Sequence, residues 1–258
     1  MSETIADGAE EEGPKATSID VALNLLELFS SQQRELGITE MARLLDRKAS
    51  TIHRTVTVLK NRGYIEQSSQ RGKYRLGLRV FELGCVYQNQ SDVMRDASAT
   101  LERIARATDE TVNLAVLDQS MREVSYIAKI DSSHVLKTDI QIGTKLFAHC
   151  TALGKVLLAS LDEATLDRLF PANARLQGYT ARSLTSVAAL RREIALVRER
   201  GYAVDDEEFR SDVVCVAMPY RDLMGKVSGA ISVTGPALRM TAERIEEVRR
   251  AMKEAIGS

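Results

Sequence analysis

The chain has no tryptophan, three cysteines and four prolines in 258 residues, and each shortage removes a class of protein. Without tryptophan, and with aromatics at 5%, little is available to stack on unpaired bases, which disfavours a single-strand nucleic-acid binder. Cys85, Cys150 and Cys215 stand far apart with no CxxC pair, which argues against a disulfide framework and a structural zinc site. No apolar run approaches the roughly 20 residues that span a bilayer, so no membrane partner is expected. No basic-then-apolar leader pattern opens the sequence, and the expected location is cytoplasmic. A glycine-rich phosphate loop and a metal-spaced histidine cluster are both missing, so neither cofactor nor metal is expected.

What is present is ordinary in amount and uneven in placement. Hydrophobic residues make up 44% and charged residues 28%, with a net charge of −1, as in a globular chain of one or two domains. Residues 1–15 carry five acids and one lysine; they bury too little to offset ordering entropy and are expected to form a disordered acidic arm. From Arg43 to Arg79, ten Lys or Arg stand against Asp46 and Glu66. A stripe of that kind neutralises DNA phosphates; the alternative is a basic protein-binding surface.

The same stretch, Gly37 to Gly77, has the pattern of a helix-turn-helix followed by a hairpin wing. Ile38, Met41, Ala42 and Leu45 recur at helical spacing, with Thr39 placed to cap the helix. Ser50 is the expected cap of a second helix that buries Ile52, Val56 and Leu59. Its other face offers Ser50, Thr51, His53, Arg54 and Thr55, the short polar and cationic groups that base edges in a major groove can pair with. Gly63 ends this helix, and Tyr64–Leu76 folds back through Ser68–Gly72 as the wing. Lys48, Arg71, Lys73 and Arg75 are the expected backbone contacts, which position without specifying. A bracing helix starting at Ser18 is expected to bury Ile19, Ala22, Leu26 and Phe29.

Beyond the wing, Leu78–Val86 reads as a helix linking two domains. The expected division is a DNA-binding domain at 16–77, a linker helix at 78–92 and a second domain at 93–258. Val93–Thr108 has helical spacing. Three strands are expected at Thr111–Leu117, Glu123–Ile130 and Val135–Ile142, then helices at 152–159, 164–170 and 187–200. Strands at Val213–Pro219 and Val227–Thr234 and a terminal helix capped by Thr241 complete an α+β domain around an antiparallel sheet.

Three polar clusters in this second domain suit a small organic acid. The segment Phe147–Lys155 enters a helix whose free N–H groups favour an anion. Asp205–Glu208 is followed by Cys215 in an apolar strand, and Ser232 and Thr234 share one side of a strand. A cysteine-nucleophile enzyme, built from Cys150 or Cys215 with His149 and Asp205, is the competing reading. It lacks any local signature.

Taken in order, these residues resemble the IclR family of bacterial transcriptional regulators over Ser18–Ile256. The resemblance lies in Ser50–Arg54, Gly63-Tyr64-Ile65, Tyr74–Gly77 and Phe81–Gly84. It continues in His149–Lys155, Arg200–Tyr202 with Asp205–Glu208, Cys215–Pro219 and Ala230–Pro236. It implies a GAF-like effector domain, dimers that often pair into tetramers, and regulation of double-stranded operator DNA, read here as repression. Carried over by position, the effector pocket would use Ala152, Leu153, Gly154, Asp205, Cys215, Ser232 and Thr234. The ligand would be a sugar acid, a 2-oxo acid or an aromatic acid. The family usually has glycine two or three residues before the strand cysteine, where this chain has Ser211-Asp212-Val213-Val214; a carboxylate at Asp212 is therefore expected near the pocket mouth, where it would disfavour a simple anion. An architectural DNA binder without a ligand remains the alternative regulator.

Overall fold

A computed structural model describes residues 17–32, 35–118 and 120–257; the acidic arm expected at 1–15 lies outside them. The chain divides between Tyr87 and Gln88 into two compact units.

The first unit opens with α1 (Ser18–Gln32). Thr17, not Ser18, fastens its start. The Thr17 hydroxyl accepts the Asp20 N–H at 3.2 Å, and the Asp20 carboxylate accepts the Thr17 N–H at 2.7 Å, a reciprocal cap. Then come β1 (Leu36–Gly37), α2 (Ile38–Leu44), α3 (Ala49–Asn61), β2 (Ile65–Gln67) and β3 (Lys73–Leu76). The strands pair antiparallel in the order β1-β3-β2, so the wing has a short third strand that the sequence pattern hides. Leu25 and Phe29 of α1, Met41 of α2, Ile52 and Val56 of α3 and Ile65 of β2 form one core.

Two local expectations fail here. The helices begin after Gly37 and Lys48, and neither N-cap residue makes a side-chain bond; Thr39 and Ser50 fall inside the first turns. Neither start relies on a side-chain cap; Met41 and Ile52, buried just inside the two helices, hold them in the core. On α1, Val21, Leu25, Leu28 and Phe29 face the core while Ile19 is exposed. Of the expected set, Phe29 lies in the core and Ala22 and Leu26 pack against it half-buried, so only Ile19 departs.

Gly77 permits the wing to close against the end of α3: a Cβ there would lie 2.3 Å from the Gly63 carbonyl oxygen. Helix α4 (Leu78–Gln90) runs through Gly84 and past Val86, since one glycine costs a helix only about 1 kcal/mol. The span expected as linker, 78–92, thus holds α4, Ser91 and the first residue of the next helix.

The second unit comprises α5 (Asp92–Thr108), β4 (Thr111–Leu117), β5 (Glu123–Ile130), β6 (Lys145–Phe147), α6 (Ala152–Ala159), α7 (Glu163–Leu169) and α8 (Val187–Arg200). Strands β7 (Ala203–Asp206), β8 (Val213–Arg221) and β9 (Val227–Pro236) and helix α9 (Ala242–Ile256) complete it. The six strands form one antiparallel sheet ordered β6-β5-β4-β9-β8-β7. Helices α6, α7 and α8 pack on one face and α5 and α9 on the other, each over its own apolar core. This is an α+β fold in which a buried sheet carries the polar groups considered below.

The strand expected at Val135–Ile142 is absent: that segment is irregular, and Val135 and Leu136 are exposed. A strand needs a partner edge, and the free edge of β5 is taken by β6. Gly143 donates to the Tyr126 carbonyl and Tyr126 to the Thr144 carbonyl, closing the turn into β6. The loop of residues 131–144 instead lies over the sheet.

Candidate functional site

Helix α3 presents Ser50, His53, Arg54 and Thr57 in the open, spaced as one strip of a helix. Thr57 was not among the predicted readers. Thr51 and Thr55 are half-buried, and the Thr55 hydroxyl donates to the Thr51 carbonyl at 3.0 Å. That bond occupies the donor a base would need. Thr57 donates in the same way to the His53 carbonyl at 2.8 Å, leaving its oxygen as an acceptor. Lys48 is exposed just ahead of the helix.

The wing cations divide into two kinds. Lys73 pairs with Glu40 of α2 at 3.4 Å, and Arg75 with Glu66 at 2.6 Å. Arg71, at the exposed turn, makes no ion pair among the described residues. A cation already paired releases less counterion on meeting a phosphate. Arg71→Ala is therefore expected to lower the salt slope of DNA binding by about one unit, and Lys73→Ala by less. Fluorescence anisotropy with duplex DNA over a salt series measures both slopes; a larger fall for Lys73→Ala would reverse the assignment.

In the second unit, cross-strand pairing lines up Thr111, Thr234, Cys215 and Asp205 on four neighbouring strands. Asn113, Ser232 and Ala217 form the adjacent row. Opposite these rows, the start of α6 and two loops enclose a cavity of about 40 Å³, room for roughly one or two waters. Ala152, Leu153, Asp205, Cys215 and Ser232 line it; Gly154 and Thr234 do not.

Gly154 has a different task. A Cβ there would lie 2.1 Å from the Ala148 carbonyl oxygen, so glycine lets α6 sit against the single 3-10 turn Ala148–Cys150. The Thr151 hydroxyl caps α6 by accepting the Gly154 N–H at 3.1 Å. The N–H groups of Ala152 and Leu153 head a helix with no carbonyl one turn back within it. Thr234 stands behind the wall, its hydroxyl donating to the Cys215 sulfur at 3.3 Å.

Asp205 is buried, and its Oδ1 accepts the N–H of Glu208 at 2.7 Å and of Phe209 at 3.4 Å. Burial pushes this carboxyl up to about 7; the nearby Glu208 charge adds to the rise, and the two N–H groups and Lys155 oppose it. Behind it, Lys155 is 1% exposed. Its ammonium donates to the Val204 carbonyl and to Glu208, with Glu193 at 3.6 Å. Burial raises the Glu208 carboxyl as well, and its second oxygen has no hydrogen-bond partner among the described residues. The Asn113 amide nitrogen reaches Thr234 at 3.3 Å and Ser232 at 3.5 Å, while its oxygen has no partner.

Asn113, Tyr126 and Arg210 belong to this site or its support and escaped the sequence reading, while Lys155 and Glu208 were named within its polar clusters and given no role of their own. A signal existed for two of them: Asn113 interrupts the apolar strand Thr111–Leu117, and Lys155 interrupts the apolar helix Ala152–Ala159. Asp212, expected at the cavity mouth, is outside the wall. It is exposed at φ 62°, the left-handed conformation that favours glycine and tolerates Asp.

The cysteine-nucleophile arrangement does not assemble. The Cys150 thiol donates to the Phe147 carbonyl at 3.3 Å, and burial pushes it up to about 12. Burial raises Cys215 too. His149 Nε2 lies 2.9 Å from the Gln177 carbonyl oxygen, and burial lowers its affinity for a proton. Protonated thiols bonded elsewhere are poor nucleophiles.

Comparison with known proteins bears on both units. Residues 18–69 match the IclR helix-turn-helix domain, and residues 85–257 match the bacterial transcriptional regulator IclR C-terminal family. The chain is 36% identical over 247 residues to the HTH-type transcriptional regulator XynR of Escherichia coli, covering 94% of this chain and 95% of that one. It is 32% identical to the transcriptional repressor IclR of Escherichia coli, covering 92% and 88%. Among solved structures, an IclR transcriptional regulator from Alicyclobacillus acidocaldarius superposes with a TM-score of 0.82 at 27% identity, over 93% of this chain and 95% of that one. Thermotoga maritima IclR gives 0.72 at 27% identity, over 93% and 96%. A reading helix with its wing, joined to an α+β unit and matched along nearly the whole length, leads to one conclusion: the chain belongs to the IclR family of bacterial transcriptional regulators.

Proposed function

We propose that the protein is a cytoplasmic, effector-controlled repressor that binds duplex operator DNA as a homodimer and takes a small organic acid in the second unit. The observation that carries the effector reading is the cavity at the start of α6, whose wall joins Ala152 and Leu153 of the first helical turn to Ser232, Cys215 and Asp205. First-turn N–H groups favour a carboxylate, and the hydroxyl and carboxyl rows hold the rest of the molecule. At about 40 Å³ the cavity must open for such a ligand. The loop of residues 131–144, which contributes Thr138 and Ile140 to the wall, is the segment whose displacement enlarges it.

Residues 16–77 would read DNA, 78–92 connect, and 93–258 bind effector and assemble. Ser50, His53 and Arg54, with Thr57, are the readers of base edges. Lys48 and Arg71 hold phosphates, with Lys73 and Arg75 doing so once their acids are displaced. The dimer follows from unpartnered apolar surface. Leu78, Phe81 and Val86 of α4 are exposed, as are Ile19 and Leu23 of α1 and Val58 of α3. A second copy is the simplest cover for patches of this kind, and it sets two α3 helices at a fixed spacing for a two-fold operator. An effector that prefers one arrangement of the dimer shifts operator affinity.

The test is a thermal-shift series with benzoate, pyruvate and gluconate on the full-length protein, repeated on Ser232→Ala. A ligand at 100 times its dissociation constant adds about 2.7 kcal/mol, which moves the midpoint by roughly 5–10 °C for a unit of this size. A shift lost in Ser232→Ala, together with a change in operator affinity, supports the reading. No shift with any acid favours an architectural DNA binder whose second unit only assembles the first.

A further inference from the structure

The cavity has an electrostatic problem if its ligand is an acid. Asp205 brings a carboxyl into the wall, and the helix start offers only neutral N–H groups. Of the residues that line the cavity, Arg210 is the only cation. It stands in the loop between β7 and β8, an exposed residue of the cavity lining.

The loop backbone is held firmly, while that side chain makes no ion pair among the described residues. The Asp205 carboxylate accepts two loop N–H groups. The Thr180 hydroxyl donates to the Glu207 carbonyl at 2.7 Å and the Ser183 hydroxyl to the Glu208 carbonyl at 2.6 Å. The Arg210 carbonyl accepts the Val213 N–H at 3.4 Å. The acids beside Arg210 in the chain are engaged elsewhere: Asp206 and Glu207 with Arg182, and Glu208 with Lys155. Asp212, two residues on, makes no ion pair with it among the described residues. A guanidinium on a fixed base, next to a cavity and without a carboxylate partner among the described residues, is placed to take a carboxylate from outside. Its planar fork suits one bidentately.

We infer that Arg210 reads the charge of the effector, closing over a carboxylate seated at the start of α6 and offsetting Asp205. The inference rests on the organic-acid reading above and adds the residue that separates an acid from its neutral analogue. A ligand with a carboxylate at the mouth and a polar group directed at Asp205 and Ser232 satisfies both ends.

The experiment is isothermal titration of the full-length protein with benzoate against benzamide, pyruvate against pyruvamide, and gluconate against gluconamide. It is repeated on Arg210→Gln and Arg210→Lys. The wild type is expected to bind one acid at least about tenfold more tightly than its amide. Arg210→Gln should abolish that preference by weakening acid binding about tenfold, and Arg210→Lys should restore part of it. Acid binding undiminished in Arg210→Gln overturns the role of Arg210 alone, as does a wild type that binds amide and acid equally. A wild type that binds none of the acids overturns the organic-acid reading and this inference with it.

Discussion

Replacing Lys155 with methionine is expected to destabilise the second unit by about 3–5 kcal/mol, the usual result of removing one partner from a buried ion pair. The methionine keeps most of the side-chain volume, so the effect reports charge more than packing. Lys155 is 1% exposed and is the cation that balances Glu208, whose other oxygen already lacks a hydrogen-bond partner among the described residues. It also donates to the Val204 carbonyl, tying α6 to β7. Glu193 suffers less, because Arg200 lies 2.6 Å from it. The midpoint should fall by roughly 6–20 °C, and urea titration should give the same ranking. Adding Glu208→Gln to Lys155→Met should recover part of the loss, since the stranded group is then neutral. A single-variant loss below about 1 kcal/mol would contradict the role given to this pair.

Asp205→Asn should change how stability depends on pH. The folded-state carboxyl is raised from 3.8 to about 7, so the folded form holds its proton more tightly than the unfolded chain. The associated stability is complete below pH 3.8, declines as pH rises, and is gone above about 7. Asparagine has no such proton and can still accept the Glu208 and Phe209 N–H groups. The variant is therefore expected to match the wild type near pH 4 and to exceed it near pH 8 by up to about 4 kcal/mol. Urea titrations across that range measure the difference. Parallel curves for the two proteins would mean that another group carries the proton. In the wild type, acid ligands should also bind more weakly as pH passes 7, because an ionised Asp205 repels them; Asp205→Asn should flatten that fall.

Much of the reading head was legible because its signals are local. The spacing of Ile52, Val56 and Leu59 marks the buried face of α3, and glycine and polar residues bound the wing. The helix starts were less legible. Thr39 and Ser50 look like caps in a linear pattern, yet each helix starts earlier and is held by the core packing of Met41 and Ile52. The stripe Ile19–Phe29 was shifted for a related reason: α1 is apolar around much of its surface, and only its partners decide that Val21, Leu25 and Leu28 join Phe29 at the centre while Ile19 stays exposed. In the second unit, apolar alternation over Val135–Ile142 imitated a strand, but alternation does not supply a neighbouring edge.

The cavity shows the same divide. Ala152, Leu153, Asp205, Cys215 and Ser232 could be named from a resemblance, and the wall contains them. Gly154 and Thr234 support it from behind, the first through a backbone approach and the second through a bond to the Cys215 sulfur. Lys155 and Asn113 stand out in their segments only as polar residues among apolar ones, with nothing local to name their partners. Arg210 reads as one more surface arginine until the loop that carries it is seen at the cavity mouth.

By itself the sequence determined the family, the two-part organisation, the concentration of basic charge on the reading head and most of the regular elements. These depend on residue type, spacing and order, all of which are properties of a line. The tertiary structure decided which strip of α3 is open, which wing cation is unpaired, and which residues meet across the sheet. Those outcomes depend on distances between segments far apart in the chain, and burial then alters the chemistry of the groups brought together, as it does for Asp205.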